Sequence, residues 1–121
     1  MNTRCNDVIV VDDDAQYRGM VVDALQVAGH KAVSVSSAKD CLALCAKNSP
    51  LLIVDLMMPD VDGLELIKML SNARCKCPLI FMSGGDVQNL ETAELIARGK
   101  GLEVRGCIEK PFLTSELLTL I

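Results

Sequence analysis

Leu51-Leu52-Ile53-Val54-Asp55-Leu56-Met57-Met58-Pro59-Asp60-Val61-Asp62-Gly63 is the stretch that decides the fold. Four apolar residues run directly into a carboxylate, and a proline, two more acids and a glycine follow. A short apolar run bounded by turn residues reads as a strand buried on both faces, which belongs in the middle of a parallel sheet. Asp55 then sits at the carboxyl end of that strand, where open α/β sheets hold their ligands. Read alone, Asp55 could equally be a turn residue or a helix cap.

The flanking sequence repeats the pattern. Asp7-Val8-Ile9-Val10-Val11-Asp12 is a second buried strand ending in acid, followed by Asp13 and Asp14. Asp14 suits a helix cap. From Ala15 the apolar period becomes helical, with Tyr17, Met20, Val21, Ala24, Leu25 and Ala28 on one face. Gly29 stops that helix. Lys31 to Val35 is a strand, and Ser36-Ser37 can cap a helix facing inward through Ala38, Cys41, Leu42 and Cys45 until Asn48-Ser49-Pro50 breaks it. After Gly63 a third helix turns Leu66, Ile67 and Leu70 inward. Pro78 to Ser83 is a strand, and Gly84-Gly85-Asp86 turns the chain. A helix from about Val87 to Arg98 follows, ended by Gly99-Lys100-Gly101. Leu102 to Glu109 holds a strand whose polar residues suggest a sheet edge. Thr114 or Ser115 starts a last helix that is cut off at Ile121.

Five strands alternating with helices mean a parallel sheet covered on both faces, with right-handed crossovers. The flavodoxin-like doubly wound order 2-1-3-4-5 fits, and it sets the ends of strands one and three side by side. Asp12, Asp13 and Asp55 then meet in one cleft.

Composition agrees with a single domain over residues 1–121. Half the residues are hydrophobic and the net charge is -4, which argues against binding nucleic acid or an anionic membrane surface. No apolar run is long enough to span a bilayer and no signal-peptide core precedes Asp7, so a cytoplasmic protein is expected. The six cysteines lack zinc-site spacing, and the single histidine, His30, reads as a surface or turn residue. Reduced, partly buried thiols are expected.

Two like charges about 4 Å apart repel by roughly 4 kcal/mol at an effective dielectric near 20. Three carboxylates in one cleft therefore need an offset in a domain stable by only about 5–15 kcal/mol. A divalent cation is one candidate, and an all-oxygen acidic site suits Mg²⁺. Lys110, just past the last strand, is another.

These residues together resemble the receiver domain of two-component response regulators. The resemblance is carried by Val10-Val11-Asp12-Asp13, by Val54-Asp55 with Met58-Pro59-Asp60 and Asp62-Gly63, by Phe81-Met82-Ser83 and by Glu109-Lys110-Pro111-Phe112. It implies a bacterial signalling module in which Asp55 is the phosphoacceptor, served by a histidine kinase or phosphotransfer protein. Asp13, Asp55 and the backbone carbonyl of Met57 would hold Mg²⁺ directly, with Asp12 acting through water. Lys110 would pair with one phosphoryl oxygen and Ser83 with another. Drawn to the phosphoryl group, Ser83 would reshape the face around helix four. In isolation Ser83 would read as a strand-end cap.

Two departures from the family pattern stand out. The position three residues before the lysine usually carries Tyr or Phe and is here Cys107, so an aromatic that swings inward on activation is missing. The 27-residue separation of Ser83 and Lys110 is longer than usual by about one helical turn, with the excess around Ala97 to Arg105. That text is similar to receivers joined to EAL-type cyclic-di-GMP phosphodiesterase domains. No Glu-Ala-Leu motif occurs in this chain. The reading is thus a receiver followed by a tethered output domain, with Gln16, Arg18 and Gly19 as candidate kinase-facing residues and a homodimer through the helix-four to helix-five face.

Two other readings compete. A small Mg²⁺-dependent phosphatase with Asp55 as nucleophile would want a second acid two residues on, where Met57 stands. A pseudo-receiver that never takes phosphate has only Cys107 in its favour.

Overall fold

Every residue of the strand Leu51–Asp55 is buried, as a two-sided central strand requires. The computed structural model describes residues 7–45, 50–59, 61–84 and 87–121. The Asn48-Ser49 break, Asp60 and the Gly85-Asp86 turn lie outside the described residues, as does the side chain of Cys45.

The elements run β1 Asp7–Val11, α1 Ala15–Val27, β2 Lys31–Val35, α2 Ala38–Cys45, β3 Leu51–Asp55, β4 Met57–Met58, β5 Val61–Asp62, α3 Gly63–Asn72, β6 Leu79–Ser83, α4 Val87–Gly99, β7 Val104–Glu109 and α5 Thr114–Leu120. β4 and β5 pair only with each other, antiparallel. The five long strands form one parallel sheet in the order β2-β1-β3-β6-β7. This is the 2-1-3-4-5 arrangement expected from the alternation.

Strand side chains alternate in direction, so the apolar runs feed two cores. Ile9, Val11, Leu52, Val54, Leu79 and Phe81 face one way, onto Ala38 and Cys41 of α2, Leu66, Ile67 and Leu70 of α3, and Leu90, Ala93 and Ala97 of α4. Val8, Val10, Leu51, Ile53, Ile80 and Met82 face the other, onto Val21 and Leu25 of α1 and Leu117 of α5.

Caps place the helices that flank the cleft. Asp14 accepts from the amides of Gln16 at 3.0 Å and Tyr17 at 3.2 Å, and Asp62 accepts from that of Glu65 at 2.8 Å. A Cβ on Gly63 would fall 3.0 Å from Leu56 Cβ, so glycine lets the start of α3 lie close to the end of β3.

Some details differ from the sequence expectation. Met20 was expected on the inward face of α1 and is 60% exposed, and Ala28 is exposed too. Burial centres on Val21 and Leu25, which turns Met20 well round the helix toward solvent. The β4–β5 pair arises within a stretch that read only as turns. Leu79 pairs with Val104 but Ile80 with Gly106, leaving Arg105 as a bulge at the start of β7. Arg105 Nη1 donates to the carbonyl of Ile121 at 3.0 Å.

Candidate functional site

The cleft lies at the carboxyl ends of β1, β3, β6 and β7. Asp12 directly follows β1 and is fully buried. Its Oδ1 accepts from the amide of Asp14 at 3.0 Å. Asp55 closes β3, and its Oδ1 accepts from the amide of Met57 at 2.8 Å. Asp13 is exposed, but one oxygen from each of Asp12, Asp13 and Asp55 can be chosen so that all lie within 4.8 Å of one another.

Lys110 enters this trio from the turn after β7. Its Nζ donates to Asp12 Oδ2 at 2.6 Å and to Asp55 Oδ2 at 3.0 Å. Its backbone amide donates to the carbonyl of Ser83 at 2.8 Å, which ties the ends of β6 and β7 together. Ser83 is buried, in the wall of a hollow of about 330 Å³ bounded also by Met57, Leu64, Thr92 and Ala93. The six residues singled out from the sequence (Asp12, Asp13, Asp55, Met57, Ser83 and Lys110) thus sit around one cleft.

Three carboxylates against one ammonium leave the cleft formally anionic. Burial raises the Asp12 carboxyl above the usual carboxylate range, and the charge of Asp55 adds to this; hydrogen bonds from Lys110 and the Asp14 amide work the other way without cancelling it. Burial alone would lower the Lys110 ammonium, but its hydrogen bonds to Asp12 and Asp55 outweigh that and raise it. An acidic trio whose charge is only partly offset, with oxygen donors alone, fits a hard divalent cation such as Mg²⁺.

Two contributors escaped the sequence reading. Arg18, named above only as a candidate kinase-facing residue, donates from Nη1 to the carbonyls of Asp12 at 3.2 Å and Asp13 at 3.3 Å and so braces the acidic loop. Tyr17 was read as part of an apolar face. Its ring lies under Lys110, with Nζ 4.4 Å from the centroid, and meets the ring of Phe112 edge-on at 5.8 Å. Burial raises its phenol, against the lowering effect of the Lys110 charge.

Away from the cleft, Cys107 on β7 fills the place where an aromatic was expected. Its Sγ lies 3.2 Å from Glu94 Oε1 and 3.7 Å from the Leu90 carbonyl, both on α4. Burial and the Glu94 carboxylate push the thiol up to about 12. Glu94 is itself held low, first by Arg98 and then by Cys107.

Residues 8–121 match the model of the response regulator receiver domain. The chain belongs to that family. As a receiver domain it is 32% identical over 115 residues to the regulatory protein VirG of Agrobacterium fabrum, covering 94% of this chain and 44% of VirG. It is also 32% identical over 124 residues to the transcriptional regulatory protein GltR of Pseudomonas aeruginosa, covering 100% of this chain and 49% of GltR. The receiver domain thus spans less than half the length of these relatives. Its fold superposes on the crystal structure of a response regulator from Colwellia psychrerythraea with a TM-score of 0.83 at 32% identity, over 96% of this chain and 94% of that one. It is a module of two-component signalling, and its relatives are regulatory proteins. Among the described residues no helix is long and apolar enough to cross a membrane.

Proposed function

We propose that this receiver works by taking a phosphoryl group onto Asp55 from the phosphohistidine of a histidine kinase or phosphotransfer protein. The observation that carries this reading is the Lys110 ammonium set between Asp12 and Asp55 at 2.6 and 3.0 Å, at the carboxyl end of the central strand. In the transfer, an Asp55 carboxylate oxygen forms the new P–O bond while the P–N bond to the donor imidazole breaks. The bonding pair returns to that nitrogen, leaving an aspartyl phosphate. The attack needs an aligned carboxylate, and the Met57 amide holds Asp55 Oδ1 in place. Asp12, Asp13, Asp55 and the Met57 carbonyl would hold Mg²⁺, which when bound neutralises charge on the transferring group.

Lys110 then moves from Asp55 Oδ2 to a phosphoryl oxygen, and the Ser83 hydroxyl takes another. The hollow beside Ser83 gives the β6 end space to move toward α4. The face around α4 would carry the change to an output domain following residues 1–121. The relatives' additional length is where such a domain would lie. The nature of that domain, transcriptional as in GltR's name or a cyclic-di-GMP phosphodiesterase as the sequence resemblance implies, is read from the full-length chain.

Incubation with acetyl phosphate and Mg²⁺ followed by intact mass tests the reading. One added phosphoryl group is expected, absent from Asp55→Asn and from metal-free samples. Equal gain in Asp55→Asn would refute it. A lack of gain in the wild-type chain, together with chemical shifts unmoved by beryllofluoride, would make the phosphate-independent receiver the better account.

A further inference from the structure

We propose that Tyr17 is a positioning residue for Lys110, its ring face holding the ammonium in the acidic cleft. This rests on Lys110 serving the phosphoacceptor as described above. The ammonium has three N–H groups. Two point at Asp12 and Asp55, and the ring face of Tyr17 lies 4.4 Å from Nζ as a further partner. That separation is within the reach of a cation–π contact, in which the ring quadrupole attracts the charge.

The ring is itself fixed from several sides. The Tyr17 amide donates to the Asp14 carboxylate at 3.2 Å, so its backbone belongs to the capped first turn of α1. Phe112, two residues after Lys110, packs edge-on against it with an interplanar angle of 81°. Tyr17 thus grips the Lys110 turn at the ammonium and at Phe112. It is only half-buried, so core filling alone is a weak account of an aromatic laid against a charge.

A lysine has four rotatable side-chain bonds, and its ammonium must leave Asp55 for a phosphoryl oxygen without leaving the cleft. A ring beneath it restricts that motion to a short swing. The cleft is thereby pre-ordered for phosphoryl gain.

Tyr17→Phe keeps the ring face and gives up only the hydroxyl's hydrogen bond with the Phe112 backbone, so its phosphorylation rate is expected to stay far closer to the wild type than that of Tyr17→Leu. Tyr17→Leu is expected to lose about tenfold in rate with an unchanged Mg²⁺ midpoint. Phenylalanine analogues of rising fluorination at position 17 keep the shape and weaken the quadrupole, so the rate should fall stepwise along the series. A purely structural ring predicts a flat series, and a flat series would overturn the proposal. Ring-current shifts of the Lys110 side-chain methylenes give a readout independent of phosphoryl transfer. They should persist in Tyr17→Phe and vanish in Tyr17→Leu; identical shifts in both would also overturn it. Failure of the wild-type chain to accept phosphate counts against the phosphoacceptor reading, while the methylene shifts still test the grip of Tyr17 on Lys110.

Discussion

Lys110 and Asp12 face each other across 98 residues of chain, and each has little other access to solvent: their side chains are 15% and 0% exposed. Removing one partner of such a pair strands the other. Lys110→Met should therefore destabilise the fold by about 3 kcal/mol in metal-free urea titrations. Mg²⁺ should restore more stability to that variant than to the wild type. Asp12→Asn should instead stabilise the metal-free chain, since burial disfavours the ionised carboxyl and Lys110 keeps its hydrogen bond to Asp55. The sign follows from a folded-state value raised above the unfolded one near 3.8. The cost is absent below that pH, grows as the pH rises toward the folded value, and is complete above it. The advantage of Asp12→Asn should thus be full above the folded-state value and gone below about pH 3.8, measured by thermal melts across pH. Each of Asp12, Asp13 and Asp55 alone reads equally as a turn or cap residue; they became legible together, because the sheet order sets the ends of strands one and three side by side. Tyr17 was not legible in this way. An aromatic at helical spacing fits an apolar face equally well, and only the long-range turn that brings Lys110 over it reveals the difference.

Between elements, the contact of α4 with β7 is the local peculiarity of this receiver. Where an aromatic was expected, the Cys107 thiol reaches Glu94, which Arg98 also holds at 2.6 Å. A thiol pushed up to about 12 from an ordinary value of 9.0 stays protonated in the fold after the unfolded chain has begun to ionise. The contribution of Cys107 to stability is therefore level below about pH 9 and falls as the pH rises from there toward 12. Comparison of wild type with Cys107→Ser between pH 8.5 and 10 isolates this contribution. The wild type should lose up to about 1.4 kcal/mol relative to the variant, the value of one pKa unit. The strands themselves were readable because their Val, Ile and Leu runs are short and bounded by turn chemistry. The β4–β5 pair was not, since two-residue strands carry no periodicity. The Arg105 bulge was not legible either, because register depends on the partner strand and not on local pattern.

In the molecule as a whole, α/β alternation with right-handed crossovers left few sheet orders, and the candidate among them is the one observed. Which exposed face does what was less open to that reasoning. Leu95 on α4 is 72% exposed and Leu113, just before α5, is 69% exposed. We propose that two copies associate through the α4 to α5 face once Asp55 is modified. Sedimentation with and without beryllofluoride and Mg²⁺ should then show a monomer passing to a dimer, and Leu95→Glu should hold it monomeric. A monomer in both wild-type samples would remove the dimer from the account. Asp55 is the proposed carrier of the phosphoryl group. Borohydride reduces an aspartyl phosphate to homoserine, which marks the acceptor within a peptide. After treatment with acetyl phosphate and Mg²⁺, homoserine should appear at position 55 alone, and not at all when the metal is omitted. Homoserine at Asp12 or Asp13 instead would contradict the account.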